Sequence, residues 1–335
     1  MGMIKRFFKR LFLIIVLLVI IVSIICIYPL FIMTDSKGTY GDMQWMAYIP
    51  DSVFLNEVNI PGTHNSGTEY VQLPFFSKCQ GMDIEKQLEA GFRILDIRLG
   101  EEITENGIRL KLMHGYTTCQ KGKSFNSEPL YLEDVLNSCY TFLNEHSTET
   151  ILFMVKHEHG DMSNEEFENV LFSYLMRDPD IWLISEKIPN MGECRGKIVL
   201  LRRYGNLNEG NMKGIPFIWR DQKGTQNIIQ STEKENNGHF NLYVQDRYEY
   251  NTDDKWNAFV NGMNNAAAET GSGAVSLNYL STKGSLTVGH PYYFASKLNG
   301  YFRNRCEYIK GWVMFDFGEP YLARLVYSQN AFINQ

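Results

Sequence analysis

Beyond residue 50, short apolar runs alternate with stretches whose apolar residues recur every three or four positions. The runs at 54–60, 93–99, 109–114, 151–157, 197–204, 242–247, 274–279 and 312–317 read as strands, because they are short, nearly continuous and bounded by turn-forming residues. The helical period predicts helices over 83–91, 132–146, 164–177, 253–268, 291–304 and 320–333. In "LEDVLNSCYTFLNEH", Leu132, Val135, Leu136, Cys139, Phe142 and Leu143 fall on one face. Alternating strands and helices imply a parallel sheet, and eight strands favour a barrel. Two places are irregular. Only "GEEITENG" separates "RILDIRL" from "IRLKLMHG", too little for a helix, and 205–241 is polar without a helical stripe. The expected fold is therefore α/β, a distorted, incomplete (β/α)8 TIM barrel, with an open doubly wound sheet as the alternative.

The N-terminus has a different pattern. Lys5, Arg6, Lys9 and Arg10 precede an uncharged run from Leu11 to Met33, about the ~20 residues that a bilayer-spanning helix requires. Basic flanks stay cytoplasmic. The expected organisation is a cytoplasmic basic segment (1–10), a transmembrane anchor (11–33), a connecting segment (34–49) and a catalytic domain (50–335) outside the cytoplasm. A cleaved signal peptide, giving a secreted domain, is the alternative. Outside the cytoplasm disulfides are permitted, but Cys79, Cys119, Cys139, Cys194 and Cys306 are odd in number, so one at least stays free or pairs with another chain. Cys139 and Cys194 lie in apolar patterns and read as core residues.

With 44% hydrophobic and 13% aromatic residues, the 335-residue chain can bury a full core and is not disordered. A net charge of −6, with no basic cluster after the first residues, excludes a nucleic-acid partner. A monomer is expected.

In a parallel barrel, sites form at the C-terminal strand ends. Those ends carry His64 in "IPGTHNSGT", Asp96 and Arg98 in "DIR", His114 in "MHG", Lys156 in "MVKHE", Arg203 in "LLRRYG", Asp246 in "VQDRY" and Asp316 in "MFDFG". One such charge is usually a cap or a surface pair. Seven strand ends converging on one rim is a site, because buried charge is costly unless paired. Two histidines can act as general base and general acid, Arg98 can hold phosphate oxygens, and a carboxylate can fix an imidazole tautomer. No G-x-S-x-G elbow and no glycine-rich P-loop is present. In "HEH" at 157–159 the histidines share one strand face and Glu158 the other, which does not suit a helical zinc motif.

"IPGTHNSGT", "GFRILDIRLG", "MHG", "ETILFMVKHE", "GKIVLLRRY", "VQDRYEY", "PYYFAS" and "GWVMFDF" occur in the order found in bacterial phosphatidylinositol-specific phospholipases C, and the chain resembles that family over about residues 50–330. The resemblance implies a distorted barrel and cleavage of phosphatidylinositol by its own inositol 2-hydroxyl, yielding diacylglycerol and inositol 1,2-cyclic phosphate. Many members also release glycosylphosphatidylinositol-anchored proteins. By resemblance, His64 is the general base oriented by Asp316, and His114 is the general acid. Arg98 binds phosphate beside Asp96, while Lys156, Arg203, Asp246, Tyr248 and Gly115 contact the substrate. Asn65 departs from the Asp of secreted members, which belongs to the general-acid arrangement. No cofactor and no metal is expected: calcium needs several anionic oxygens, and Arg98 and Lys156 occupy the positions of two. A weakened inositol-phosphate-binding module and a metal-dependent glycerophosphodiesterase are the competing readings.

Overall fold

The computed structural model describes residues 2–32, 41–124, 126–205, 213–223, 229–231, 241–268, 273–285 and 290–333. Eight parallel strands follow one another around a ring: Ile60–Thr63, Ile94–Thr104, Ile151–His159, Ile198–Arg202, Ile215–Pro216, Leu242–Gln245, Val275–Tyr279 and Trp312–Phe315. The last pairs with the first through Ile60–Trp312 and Thr63–Phe315, which brings the two ends of the domain side by side. Six of the seven remaining neighbour pairs are joined by parallel ladders. Among the described residues no ladder joins Ile215–Pro216 to Leu242–Gln245. There the Gln222 side chain substitutes for backbone pairing, donating to the Val244 carbonyl at 2.8 Å and accepting from the Asp246 N–H at 3.0 Å. The barrel is thus distorted and incomplete, as expected.

Three strand expectations need correction. Residues 54–60 are not a strand: Leu55–Glu57 is a 3-10 turn, and the strand begins at Ile60. The run at 109–114 is a strand but not a barrel strand. It folds back antiparallel on Ile94–Thr104 across a tight hairpin, which its short connection required. The place it vacates is filled by Ile215–Pro216, inside the polar region 205–241, most of which lies outside the described residues.

The helices fall at Ile84–Glu89, Leu132–Glu145, Asn164–Leu175, Thr252–Ala268, Pro291–Arg305 and Pro320–Tyr327, the last shorter than its periodicity suggested. Side-chain caps set the starts of four of them: Asp83 accepts from the Lys86 N–H, Ser163 from the Glu166 N–H, Asn251 from the Asp253 and Asp254 N–H groups, and His290 from the Tyr292 N–H. Along the strands the two-residue period divides the chain into two packing systems. Leu95, Ile97, Phe153, Val155, Ile198 and Leu200 pack outward against Leu132–Glu145 and Asn164–Leu175. Ile94, Leu152, Met154, Val199 and Leu201 pack inward with Leu242, Leu277 and Trp312. Trp45 and Met46, in the segment read as a connection, are buried in this inner core, while residues 34–40 lie outside the described ones.

The helix Gly2–Ile32 precedes the barrel, and Ile4–Ile24 is long and apolar enough to cross a membrane by length and composition. Met33, the last residue of the expected span, is outside the described residues. Cys79, Cys119, Cys139, Cys194 and Cys306 are all free thiols, and Cys139 and Cys194 are core residues as expected.

Candidate active site

The inward strand positions change character along their length. Apolar Ile94, Leu152 and Val199 at the bottom give way to Asp96 and Arg98, Lys156 and Glu158, and Arg203 at the C-terminal ends. The register sets Arg98 opposite Lys156, so the same two-residue period that fills the core also lines the site.

His64 follows the first strand directly. Gly62 precedes it because a Cβ there would lie 2.5 Å from the Met314 sulfur and 2.6 Å from Ile94 Cβ. Asn65 then takes φ +47°, a left-handed conformation that Asn tolerates, and turns the chain away. The His64 N–H donates to the Phe315 carbonyl, and the fully buried Gln80 amide donates to both the His64 and Phe315 carbonyls at 2.7 and 2.9 Å. This clamp locks the ends of the first and last strands together. His64 Nδ1 is 2.7 Å from Asp316 Oδ1. A carboxylate only accepts, so Nδ1 carries the proton and Nε2 keeps its lone pair, with the Asn65 amide nitrogen 3.2 Å away.

His114 ends the hairpin strand rather than a barrel strand, yet it reaches the same place: its ring centroid is 6.2 Å from that of His64, edge to face. Its Nδ1–H donates to the Ser77 carbonyl at 2.8 Å, again leaving Nε2 free in the neutral ring. Burial, followed by the positive charge of the nearby Arg98, lowers its pKa to about 4.

Behind the histidines lies an alternating ionic floor. Asp96, fully buried, accepts from Arg98 Nε and Nη2 at 3.1 and 3.0 Å and from the Asn65 N–H at 3.1 Å. Burial alone would raise its pKa, but Arg98 and Arg203 outweigh that and hold it well below the usual carboxylate range. Arg98 Nη1 donates to Glu158 at 3.3 Å, and Glu158 also takes Lys156 Nζ and, at 3.1 Å, the Gly115 N–H. The two cations hold Glu158 at about 2 against the opposing effect of burial, while burial and Arg98 lower Lys156. Arg203 pairs with Asp246 at 3.3 Å, lies 3.9 Å from Asp96, and stacks its guanidinium 3.8 Å over Trp219. Tyr248 stands at the rim with its hydroxyl donating to Asp221 at 2.8 Å.

All the expected residues except Tyr248 are thus linked to one another by the contacts above, and Tyr248 borders them. Sequence reasoning missed Glu158, Gln80, Trp219 and Tyr279. Glu158 was legible, since placing the histidines of "HEH" on one face put it on the other, inward one. Trp219 and Tyr279 gave no local signal; Tyr279, the last residue of its strand, packs 5.8 Å from the His64 ring.

Among the described residues, four buried polar atoms here have no hydrogen-bond partner: Asn65 Oδ1, Asp96 Oδ1, Arg203 Nη1 and the Tyr279 hydroxyl. Each such atom costs about 1–3 kcal/mol unless something satisfies it. Donors and acceptors clustered beside two imidazoles suit a ligand rich in hydroxyls that also carries an anion.

The family model "Phosphatidylinositol-specific phospholipase C, X domain" matches residues 55–204. The chain is 30% identical over 268 residues to the 1-phosphatidylinositol phosphodiesterase of Staphylococcus aureus strain Newman, an alignment spanning 76% of this chain and 80% of the relative. Among solved structures, a Staphylococcus aureus phosphatidylinositol-specific phospholipase C superposes with a TM-score of 0.66 at 25% identity, covering 83% of this chain and 91% of the other. The Listeria monocytogenes enzyme of the same name gives a TM-score of 0.65 at 23% identity over 87% and 99% of the two chains, a likeness of fold.

Proposed function

The chain belongs to the phosphatidylinositol-specific phospholipase C family, and from that premise we propose that it cleaves phosphatidylinositol to diacylglycerol and inositol 1,2-cyclic phosphate. The observation that carries this reading is the pair of imidazoles, one backed by a carboxylate and the other by a carbonyl, facing each other over the Arg98 floor. His64 Nε2 takes the proton of the inositol 2-hydroxyl, whose oxygen attacks phosphorus. Asp316 stabilises the imidazolium so formed. The bond from phosphorus to the glycerol oxygen breaks, and His114 delivers a proton to that oxygen. In the free protein His114 is neutral at pH 7; the phosphate anion, by offsetting Arg98, raises its affinity for that proton. Arg98 stabilises charge on the phosphoryl oxygens. Lys156, Arg203, Asp246 and the backbone around Gly115 contact inositol hydroxyls, and Tyr248 covers the ring from the rim. The shared inositol phosphodiester makes glycosylphosphatidylinositol anchors a second substrate class.

The enzyme works without a metal, with Arg98 doing the charge stabilisation. It is held at a membrane by Gly2–Ile32, whose exposed side chains from Leu11 to Ile24 are almost all apolar and whose basic flank is cytoplasmic. Protease added to intact cells should then digest the barrel and leave a short membrane stub; a soluble domain in the medium would indicate signal cleavage instead. Function is tested by incubating the full chain in detergent micelles with phosphatidylinositol. Phosphorus NMR should show the cyclic phosphate before any inositol phosphate. Tight binding without turnover would favour the binding-module reading.

A further inference from the structure

Beside the two histidines lies a side chain for which the proposed reaction has no use. Cys79 is 1% exposed, and its sulfur is 3.8 Å from His114 Nδ1. One donor atom each from Cys79, His64 and Asp316 lie within 4.8 Å of one another. The three residues come from separate segments, and each is held from behind. The Cys79 N–H donates to Thr68 Oγ1 at 3.0 Å, and its carbonyl accepts from the Phe317 N–H at 2.7 Å. The Asp316 carbonyl accepts from Asn299, and the His64 carbonyl from Gln80.

We propose that Cys79, His64 and Asp316 form a binding site for a thiophilic divalent cation of the zinc class, and that its occupation switches the enzyme off. The site regulates the centre described above and so rests on that reading for its effect, though not for its existence. Sulfur, imidazole nitrogen and carboxylate oxygen are the donors zinc accepts in tetrahedral sites. With zinc–ligand bonds of about 2.0–2.3 Å, tetrahedral donors stand roughly 3.3–3.8 Å apart, so the His64–Asp316 pair, now at 2.7 Å, opens by about 0.6 Å, and a separation at the 4.8 Å limit closes by about 1 Å. Charge balances as well. A dication, a thiolate, a carboxylate and a neutral imidazole sum to zero, which a buried site tolerates. Calcium and magnesium, which demand oxygen ligands and many of them, find one carboxylate and a sulfur.

The inhibitory mechanism follows from the tautomer. The metal takes His64 through Nδ1, the nitrogen that faces Asp316; the single ring proton moves from there to Nε2, and the thiol proton of Cys79 is released to solvent. The ligated ring thus stays neutral, with its one proton on Nε2. That nitrogen can no longer accept the proton of the inositol hydroxyl, and Asp316 is removed from its role behind the ring.

The test uses the full chain in detergent, titrated with cobalt(II) as a spectroscopic stand-in and with zinc in the turnover assay. Wild type should develop tetrahedral cobalt bands and a thiolate-to-cobalt charge-transfer band at one equivalent, while Cys79→Ser and Cys79→Ala should not. Cys306→Ser, at the most exposed of the five ectodomain thiols, should behave as wild type. Zinc should inhibit phosphatidylinositol cleavage reversibly with EDTA. Whichever Cys79 variant folds should need more than ~100-fold more zinc for the same inhibition, beyond what loss of an outer-shell partner costs. On wild type alone, zinc should move the 15N shift of His64 Nδ1 to that of a metal-bound nitrogen. Absence of the thiolate–cobalt band from wild type, or equal zinc sensitivity with and without Cys79, overturns the proposal. The cobalt and 15N readouts do not depend on turnover, so failure of the lipase reading would leave the site itself still measurable.

Discussion

Asp316→Asn isolates what the carboxylate does on the proposed mechanism. The substitution preserves shape, and Asp316 is only 4% exposed, so packing is little disturbed. In the ground state His64 is neutral and loses one hydrogen bond to an anion. In the transition state it carries a full positive charge 2.7 Å from the acceptor oxygen. At an effective dielectric of about 20, a charge pair at that distance is worth about 6 kcal/mol. An amide dipole recovers part of this, and about 3 kcal/mol of transition-state stabilisation should be lost, roughly a 10²-fold fall in kcat. A second effect works in the same direction. The Asn amide can turn its N–H toward Nδ1, which moves the ring proton to Nε2 and leaves no base. Mixed-micelle kinetics should therefore show kcat reduced at least ~10²-fold with KM nearly unchanged, since Asp316 does not touch the lipid. 15N NMR of the His64 ring should show the mixed or reversed tautomer. A folded variant with wild-type kcat and an unaltered tautomer would refute the base assignment.

His114→Ala should lower kcat by ~10²–10⁴ while the protein stays folded, measured with phosphatidylinositol in the same micelles. Phosphatidylcholine and 2-O-methyl phosphatidylinositol should not be cleaved, because the protein offers no nucleophile of its own; equal hydrolysis of phosphatidylcholine would contradict substrate-assisted attack. EGTA should leave activity intact, and complete calcium-reversible inhibition would overturn the role of Arg98. The Glu158 carboxyl is depressed to about 2 in the folded chain against ~4.3 unfolded, so the unfolded state binds the extra proton between those values. Its stabilisation is present above about pH 4.3 and is lost as pH falls toward about 2. Urea midpoints should decline through that window, and Glu158→Gln should flatten the decline.

Much of this architecture was legible because strand periodicity and site placement share one cause. A buried parallel strand reads as an apolar run, and where a run such as "RILDIRL" turns polar on alternate residues, it marks the mouth of the barrel. His64, Asp96, Arg98, Lys156, Arg203, Asp246 and Asp316 all follow from that rule. The errors came where a strand lacks its own signal. Ile215–Pro216 has two residues, pairs with Leu201 and Arg202 on one side, and on the other has the Gln222 side chain bonded to Val244 and Asp246 in place of a ladder, so nothing local distinguishes it from loop. The run at 109–114 has the composition of a barrel strand but pairs within a hairpin, a choice made by the length of the turn before it. Gln80 and Trp219 act over long sequence separations, and no periodicity reports on that.

The ionic floor explains how the site can bind an anion while carrying so many carboxylates. Arg98, Lys156 and Arg203 are matched by Asp96, Glu158 and Asp246, so the free site is nearly neutral. Neutrality lowers long-range attraction for phosphate but fixes geometry. With Nε and Nη2 on Asp96 and Nη1 on Glu158, the Arg98 guanidinium is locked in one plane, and the carboxylates that lock it are kept ionised by the same charges. A mobile arginine would have to be ordered at the moment of reaction; this one has been ordered by folding, which is the condition for electrostatic stabilisation without reorganisation. The cost appears at the unsatisfied atoms, Asp96 Oδ1 and Arg203 Nη1, which stand 3.9 Å apart, too far to bond each other. A hydroxyl set between them could donate to one and accept from the other. On the proposed mechanism those two atoms therefore select for a polyol head group, and the locked arginine for the phosphodiester attached to it.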